Sequence, residues 1–329
     1  MAVFIGFSSC ETDFDVNQEW TEIPVIYGLL NTADSITYVR VQKAFLGDGD
    51  AFIYASQSDS IYFQDAISVK IEEWDNGIFV DSTILVKDSL VVKDTGIFSN
   101  SPHVLFKTVG TFQVQDEKQY KLEVLNSSTG KLSTSETNVV EKIIVSKPRV
   151  QATSKVELFT QDYDVTFLSG TNGKIYDLVI RFNYLEEDVN DPTQQVSKYV
   201  DWFFPSETVP NSANNESVEI LIAAGSFYTF LSSVLEPDPT VNRYYCGLDF
   251  MFSAGADDLY TYIQVNEPPL GIVQERPQFS NIEGGLGIFS SRLNTSVVDK
   301  LLTSDSEGEL YSGSETSNLG FIGRSNACQ

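Results

Sequence analysis

From Ile26 to Lys147 the chain is a series of short β-like segments, several of which alternate apolar and polar residues. Ile36–Lys43 (ITYVRVQK) alternates with a period of two, and so does Ala66–Trp74 (AISVKIEEW). A period of two marks a strand with one buried face and one wet face. Asp75-Asn76-Gly77 follows directly, and Asn-Gly supplies the positive φ angles of a tight hairpin. Ile26–Leu30 is a short apolar run, and further strands are expected over Ser82–Lys87, Val104–Val109, Tyr120–Asn126 and Val139–Val145, with a second turn at Ser128-Thr129-Gly130. About seven short strands separated by turns are the signature of an immunoglobulin-like β-sandwich.

Beyond Lys147-Pro148 the pattern mixes. Strands are expected at Lys155–Phe159, Asp164–Leu168, Ile175–Tyr184, Lys198–Phe204, Ser217–Ile222, Arg243–Phe252 and Leu286–Ser290. Gly225–Leu235 places Phe227, Phe230, Leu231 and Val234 on one helical face. Asp257–Val265 opens with two acids suited to a helix N-terminus, and Val297–Leu302 reads as one or two helical turns. The expected fold is mainly β: an N-terminal immunoglobulin-like sandwich over residues 25–147, then a second β-rich domain with a few short helices over 148–303. Residues 304–329, rich in Ser, Glu and Gly, are expected to be a C-terminal tail.

The first residues read differently. Met1–Phe7 is apolar, Ser8 and Ser9 are small, Cys10 follows, and the chain turns acidic at Glu11, Asp13 and Asp15. An apolar stretch ending in small residues is the end of a secretory signal, here without its basic start. We therefore read residues 1–9 as a signal remnant whose true start lies upstream. A cysteine at that point resembles a bacterial lipobox, which makes Cys10 the acylated first mature residue and 10–24 a tether. Two or more acyl chains anchor stably, at about 0.8 kcal/mol per buried methylene. With Cys10 lipidated, Cys246 and Cys328 remain as an even pair, expected to form a disulfide outside the cytosol.

The 46 acids against 21 lysines and arginines leave a net charge of −25. That argues against a nucleic-acid partner, which requires a basic footprint, and against docking on anionic headgroups. No catalytic constellation stands out. The single histidine, His103, sits in Ser-Pro-His-Val and reads as a turn residue. One histidine and three scattered cysteines make no typical zinc site. The carboxylate pairs Glu72-Glu73 and Asp257-Asp258 are the remaining hydrolytic candidates, since glycoside hydrolysis needs two acids. Calcium favours clustered oxygens, which makes the loop of Asp188, Asn190 and Asp191 a weak calcium candidate, with Gly47–Asp50 (GDGD) a second acidic loop. Asp-Ser before an apolar residue recurs at Ser35, Ser60 and Ser89, resembling an O-glycosylation motif of Bacteroidota envelope proteins.

Several longer phrases, among them IPVIYGLLN, YVRVQKAFLGDGDAFIYA, DSIYFQDAISVKIEEW, GIFSN, YKLEVLN with its following TGK, and FSNIEGGLGIFSSR, resemble a group of uncharacterised Bacteroidota outer-membrane lipoproteins. The resemblance runs from about Cys10 to Arg292. It implies a lipid-anchored, cell-surface-facing protein with an N-terminal immunoglobulin-like domain and no catalytic residue. The expected function is non-enzymatic: a protein-binding accessory subunit of an outer-membrane complex for protein assembly, secretion or uptake, with no cofactor besides the lipid on Cys10. The alternative is a surface glycan-binding lipoprotein, for which Trp74, Trp202, Tyr244 and Tyr245 are the available aromatics.

Overall fold

The alternating segments form strands in the computed structural model, which describes residues 23–44, 51–63, 66–91, 103–151, 153–210, 215–268 and 278–325. In chain order the strands are β1 (Pro24–Leu30), β2 (Tyr38–Lys43), β3 (Ile67–Asp75), β4 (Ile78–Ile84), β5 (Val86–Asp88), β6 (Leu105–Lys107), β7 (Gln119–Asn126), β8 (Lys131–Asn138) and β9 (Ile144–Lys147). They continue as β10 (Lys155–Val156), β11 (Tyr163–Leu168), β12 (Ile175–Asp188), β13 (Gln195–Phe203), β14 (Glu207–Thr208), β15 (Ser217–Ile222), β16 (Val241–Gly255), β17 (Leu286–Leu302) and β18 (Phe321–Arg324). The helices are α1 (Ala51–Ala55), α2 (Ser58–Ile61), α3 (Ser226–Val234), α4 (Asp257–Asn266) and α5 (Ser304–Ser312). With 49% of the described residues in strands and 13% in helices, the protein is mainly β, as expected.

The long path β13-β12-β16-β17-β1-β2-β6-β5 forms one sheet, with β10, β14 and β18 pairing onto it; β4-β3-β7-β8 and β15-β11-β9 form two smaller sheets. Two cores result. In the first, Ile26, Leu30, Val39 and Val41 of β1 and β2 meet Val69, Ile71, Leu122 and Val124 of β3 and β7. In the second, Phe182 of β12 stacks on Tyr245 of β16 with centroids 5.6 Å apart and meets Phe227 of α3 and Phe321 of β18 edge-on. Such aromatic pairs add to the area term already gained by burial. The cores divide at Val139 and Val140. Lys147-Pro148, the expected boundary, is a cis peptide at the end of β9.

The sheet of β1 and β2 does not close on residues 25–147. β17 adds to β1 in parallel, with Tyr27 opposite Ile288. β17 carries Phe289 into the first core and Leu293, Val297 and Leu302 into the second. The helical turns expected over Val297–Leu302 are therefore the end of a strand. The expected strand Val139–Val145 is likewise replaced by a link after β8 and the first residues of β9. Ser291 secures that link: its Oγ donates to Asn138 O (2.7 Å) and accepts from Val140 N (3.0 Å).

Residues 304–324, expected as a tail, fold onto the second core with Leu310, Leu319 and Phe321 buried. Glu157 is the latch. Its carboxylate accepts from Thr303 Oγ1, Ser306 Oγ, Phe159 N and Thr160 N. Burial alone would raise this carboxyl, but those four donors hold it down to about 2. Thr303 also caps α5 by accepting from Ser306 N.

Buried hydroxyls set the alkaline limit of the fold. Burial pushes Tyr176 and Tyr311 up to about 12, and raises Tyr120, Tyr163 and Tyr228 as well. In the unfolded chain these groups ionise near pH 10. A folded value above the unfolded one means stability that is complete below pH 10 and lost as pH climbs through the folded value. Tyr176 alone contributes about 2–3 kcal/mol in this way. Lys300 runs in the opposite sense. Its buried ammonium, held by Val150 O and Gln151 O, is lowered by burial, so its share rises as pH approaches 10.5. Several tyrosines outweigh one lysine. The urea midpoint is expected to stay level from about pH 7 to 9 and fall steeply above about pH 10; a level profile to pH 12 would contradict the assignment.

Candidate functional site

The sheet β4-β3-β7-β8 ends in an unusual edge. β3 alternates correctly: Val69 and Ile71 face the core, and Glu73 follows them inward to accept the Tyr120 hydroxyl (2.7 Å). Asn76 and Gly77, with φ of 49° and 80°, turn the chain back into β4. The partner strand does not alternate. Ile78-Phe79-Val80 places consecutive apolar residues on both faces of a strand that buries none of them, with exposures of 71%, 50% and 48%; Ile84 adds a further 63%. Phe79 leans edge-on against Trp74 at 5.8 Å, and Lys121 covers that indole at 4.6 Å.

Among the described residues β4 pairs with β3 alone. Among those residues no strand pairs with its outer side, whose N–H and C=O groups are flanked by apolar side chains. Folded proteins blunt such edges with charge, proline or a covering element because they template strand addition. The other long edge shows the blunting. β13 exposes Val196 and Tyr199, but Arg181 lies 3.8 Å over the Tyr199 ring and Lys198 pairs with Glu186. β8 is bridged at Thr134 by Glu283. On β4 Asp81, Ser82 and Thr83 separate the apolar triplet from Ile84, Asp81 is the one charge, and its carboxylate accepts from Ser82 N (2.7 Å).

The residues singled out in the sequence fall elsewhere. Cys10, Cys328 and Gly47–Asp50 lie outside the described residues; Cys246 is disulfide-bonded. Asp188 Oδ1 accepts from Asn190 N (2.7 Å) and Asp191 N (3.1 Å), while Asp191 takes Thr193 and Gln194, whose hydrogen bonds hold its carboxyl below its usual value. These oxygens are occupied in shaping their own loop. No group of three or more metal-ligating side chains occurs among the described residues. Ser35 and Ser89 are exposed, whereas Ser60 sits half-buried in α2.

The carboxylate pairs are split by geometry. Glu72 and Glu73 are neighbours on a strand and point to opposite faces; Glu72 binds Lys70 and the Trp74 indole N–H, which with burial leave it net below its usual value. Asp258 accepts from Asn281 Nδ2 (2.9 Å) at the start of α4. His103 precedes β6 with its Nδ1 buried and without a partner among the described residues. Of the proposed sugar-stacking aromatics, Tyr245 is buried and Trp202 is packed among Phe204, Phe227 and Phe230. The Tyr244 hydroxyl donates to Glu187. The apolar triplet Ile78-Phe79-Val80 was the signal available for the edge, because a half-buried strand would have placed a polar residue at its centre.

No protein-family model and no curated protein matches the sequence. Among solved structures, the chain is similar to one described as the crystal structure of CBD12 from CALX1.2, with 11% identity over 82% of this chain and 100% of that one. The TM-score is 0.17, too low to carry an argument about fold or function. No helix among the described residues is long and apolar enough to cross a membrane.

Proposed function

We propose that this chain is a non-enzymatic lipoprotein of the outer membrane, anchored through Cys10, that binds a partner protein as an accessory subunit of an envelope complex. The observation that carries the reading is the edge of β4, apolar on both faces and paired on its outer side with no strand among the described residues. An extended segment of another protein added there completes the ladder and covers Ile78, Phe79, Val80 and Ile84, the geometry of strand addition. The net charge of −25 selects the partner: a segment with apolar residues at alternate positions and lysine or arginine beside them, drawn in by long-range attraction.

Affinity capture in mild detergent from native membranes tests this, comparing the wild type with Ile78→Lys/Val80→Lys and with Val196→Lys on β13. Exposed substitutions of this kind change stability by about 0.5 kcal/mol or less. The partner captured by the wild type is expected with Val196→Lys and absent with the β4 variant. Equal capture by all three would exclude the β4 edge.

A further inference from the structure

A cleft remote from β4, and independent of the reading of that edge, lies where the two cores meet. On β1 and β2, Ile26, Leu30, Val39 and Val41 face the first core, so the alternate positions Tyr27, Tyr38 and Arg40 face outward. Tyr27 is opposite Arg40 on one side and Ile288 of β17 on the other. α4 lies over this outer face but buries none of its own residues. Between helix and sheet remains a cavity of about 380 Å³ lined by Tyr27, Tyr38, Tyr262 and Leu259, with Asp34 and Arg292 on its lining as well. That volume falls within the range of small-molecule sites, which are mostly apolar with a few convergent polar groups.

The lining is specific in its chemistry. The rings of Tyr27 and Tyr262 meet edge-on at 6.2 Å, and the Tyr262 hydroxyl donates to that of Tyr27 (3.4 Å). The Arg40 guanidinium stacks 4.4 Å from the Tyr27 centroid and fixes that ring from the neighbouring strand. Tyr38 remains more than a third exposed. Aromatic faces accept the C–H face of a pyranose, and phenol hydroxyls meet its hydroxyl groups. Asp34 supplies an acceptor and Arg292 planar donors, and their charges offset one another, which favours a neutral ligand.

We infer that this cleft binds a neutral saccharide, with Tyr27, Tyr38 and Tyr262 stacking on the sugar and Asp34 and Arg292 holding its hydroxyls. The site uses none of the aromatics that stand out in the sequence.

The test is a titration of the full chain, with ¹³C-labelled tyrosine rings followed by NMR, against cellobiose, maltose and N,N′-diacetylchitobiose. Saturable shifts confined to Tyr27, Tyr38 and Tyr262 are expected with at least one of them. Tyr38→Ala is expected to weaken binding about tenfold, equivalent to about 1.4 kcal/mol. Tyr199→Ala, on the exposed face of β13, is expected to leave it unchanged. Arg292→Gln provides a second variant, with a similar loss, should Tyr38→Ala disturb β2. Absence of saturable shifts with all three sugars overturns the assignment, as does binding that persists undiminished in both cleft variants.

Discussion

Arg243→Met is expected to destabilise the protein by about 3–5 kcal/mol, the cost of breaking a buried ion pair from one side. Arg243 is 5% exposed. Its Nε donates to Glu186 Oε1 at 3.0 Å, and one terminal nitrogen donates to Glu236 O (3.0 Å) and Leu319 O (2.8 Å). Its backbone N–H bonds Gly320 O (2.8 Å). One side chain thus ties β16 to β12, to the residues after α3, and to the turn before β18. Methionine restores the packing volume but leaves two carbonyls without a donor and Glu186 with Lys198 alone. Lysine cannot reproduce the fork, so Arg243→Lys should recover little. Urea unfolding measures the loss. Hydrogen exchange should localise it to β18, where Ser325 N bonds Tyr245 O. A loss below about 1 kcal/mol would show that the network is dispensable.

Gly287→Ala is the second large effect. Gly287 has φ of +111°, and a Cβ there would lie 1.9 Å from Ile26 O on the adjacent strand β1. Backbone strain of about 1–3 kcal/mol adds to an overpacking cost of about 1–3 kcal/mol, because the obstructing atom is backbone and cannot rotate away. The pairing lost is that between Ile26 and Gly287, where β17 joins the first core. The expected signature is an early transition, read by hydrogen exchange, in which the amides of β1 and β2 open ahead of those of the second core. A single transition at the wild-type midpoint would contradict it. Gly77→Ala makes a useful contrast: its φ is also positive, but a Cβ there meets nothing within 4 Å.

These two sites show what was legible in the sequence. Local alternation located β2, β3, β7, β11 and β15, and Asn76-Gly77 marked the hairpin, because those signals depend only on near neighbours. β17 was obscured because Ser290 and Ser291 look like a break. They are fully buried, and the Ser291 hydroxyl bonds Asn138 and Val140 from far back along the chain. Residues 304–324 looked like a tail because Leu310, Leu319 and Phe321 are isolated among polar residues, and nothing nearby announces the Glu157 latch. The phrase FSNIEGGLGIFSSR forms a joint between the two cores. Asn281 clasps Phe289 through both its backbone N–H and its C=O, and Gly284 passes so close to β8 that a Cβ would sit 2.9 Å from Leu132 O.

The functional surfaces were legible to different degrees. On β4 the apolar triplet was visible, but its edge position among the described strands is a property of the whole sheet order. The tyrosine cleft was invisible, because Tyr27 and Tyr262 meet only after β17 has brought the two cores together.

The central claim is that β4 is the site where a partner strand is added. Hydrogen exchange of the β4 amides, measured in the free protein and in the native membrane complex, tests it most directly. The outward amides from Ile78 to Ile84 are expected to exchange quickly when free and to become as protected as those of β3 in the complex. If the complex protects other surfaces while β4 exchanges at its free rate, the docking edge lies elsewhere and the account fails.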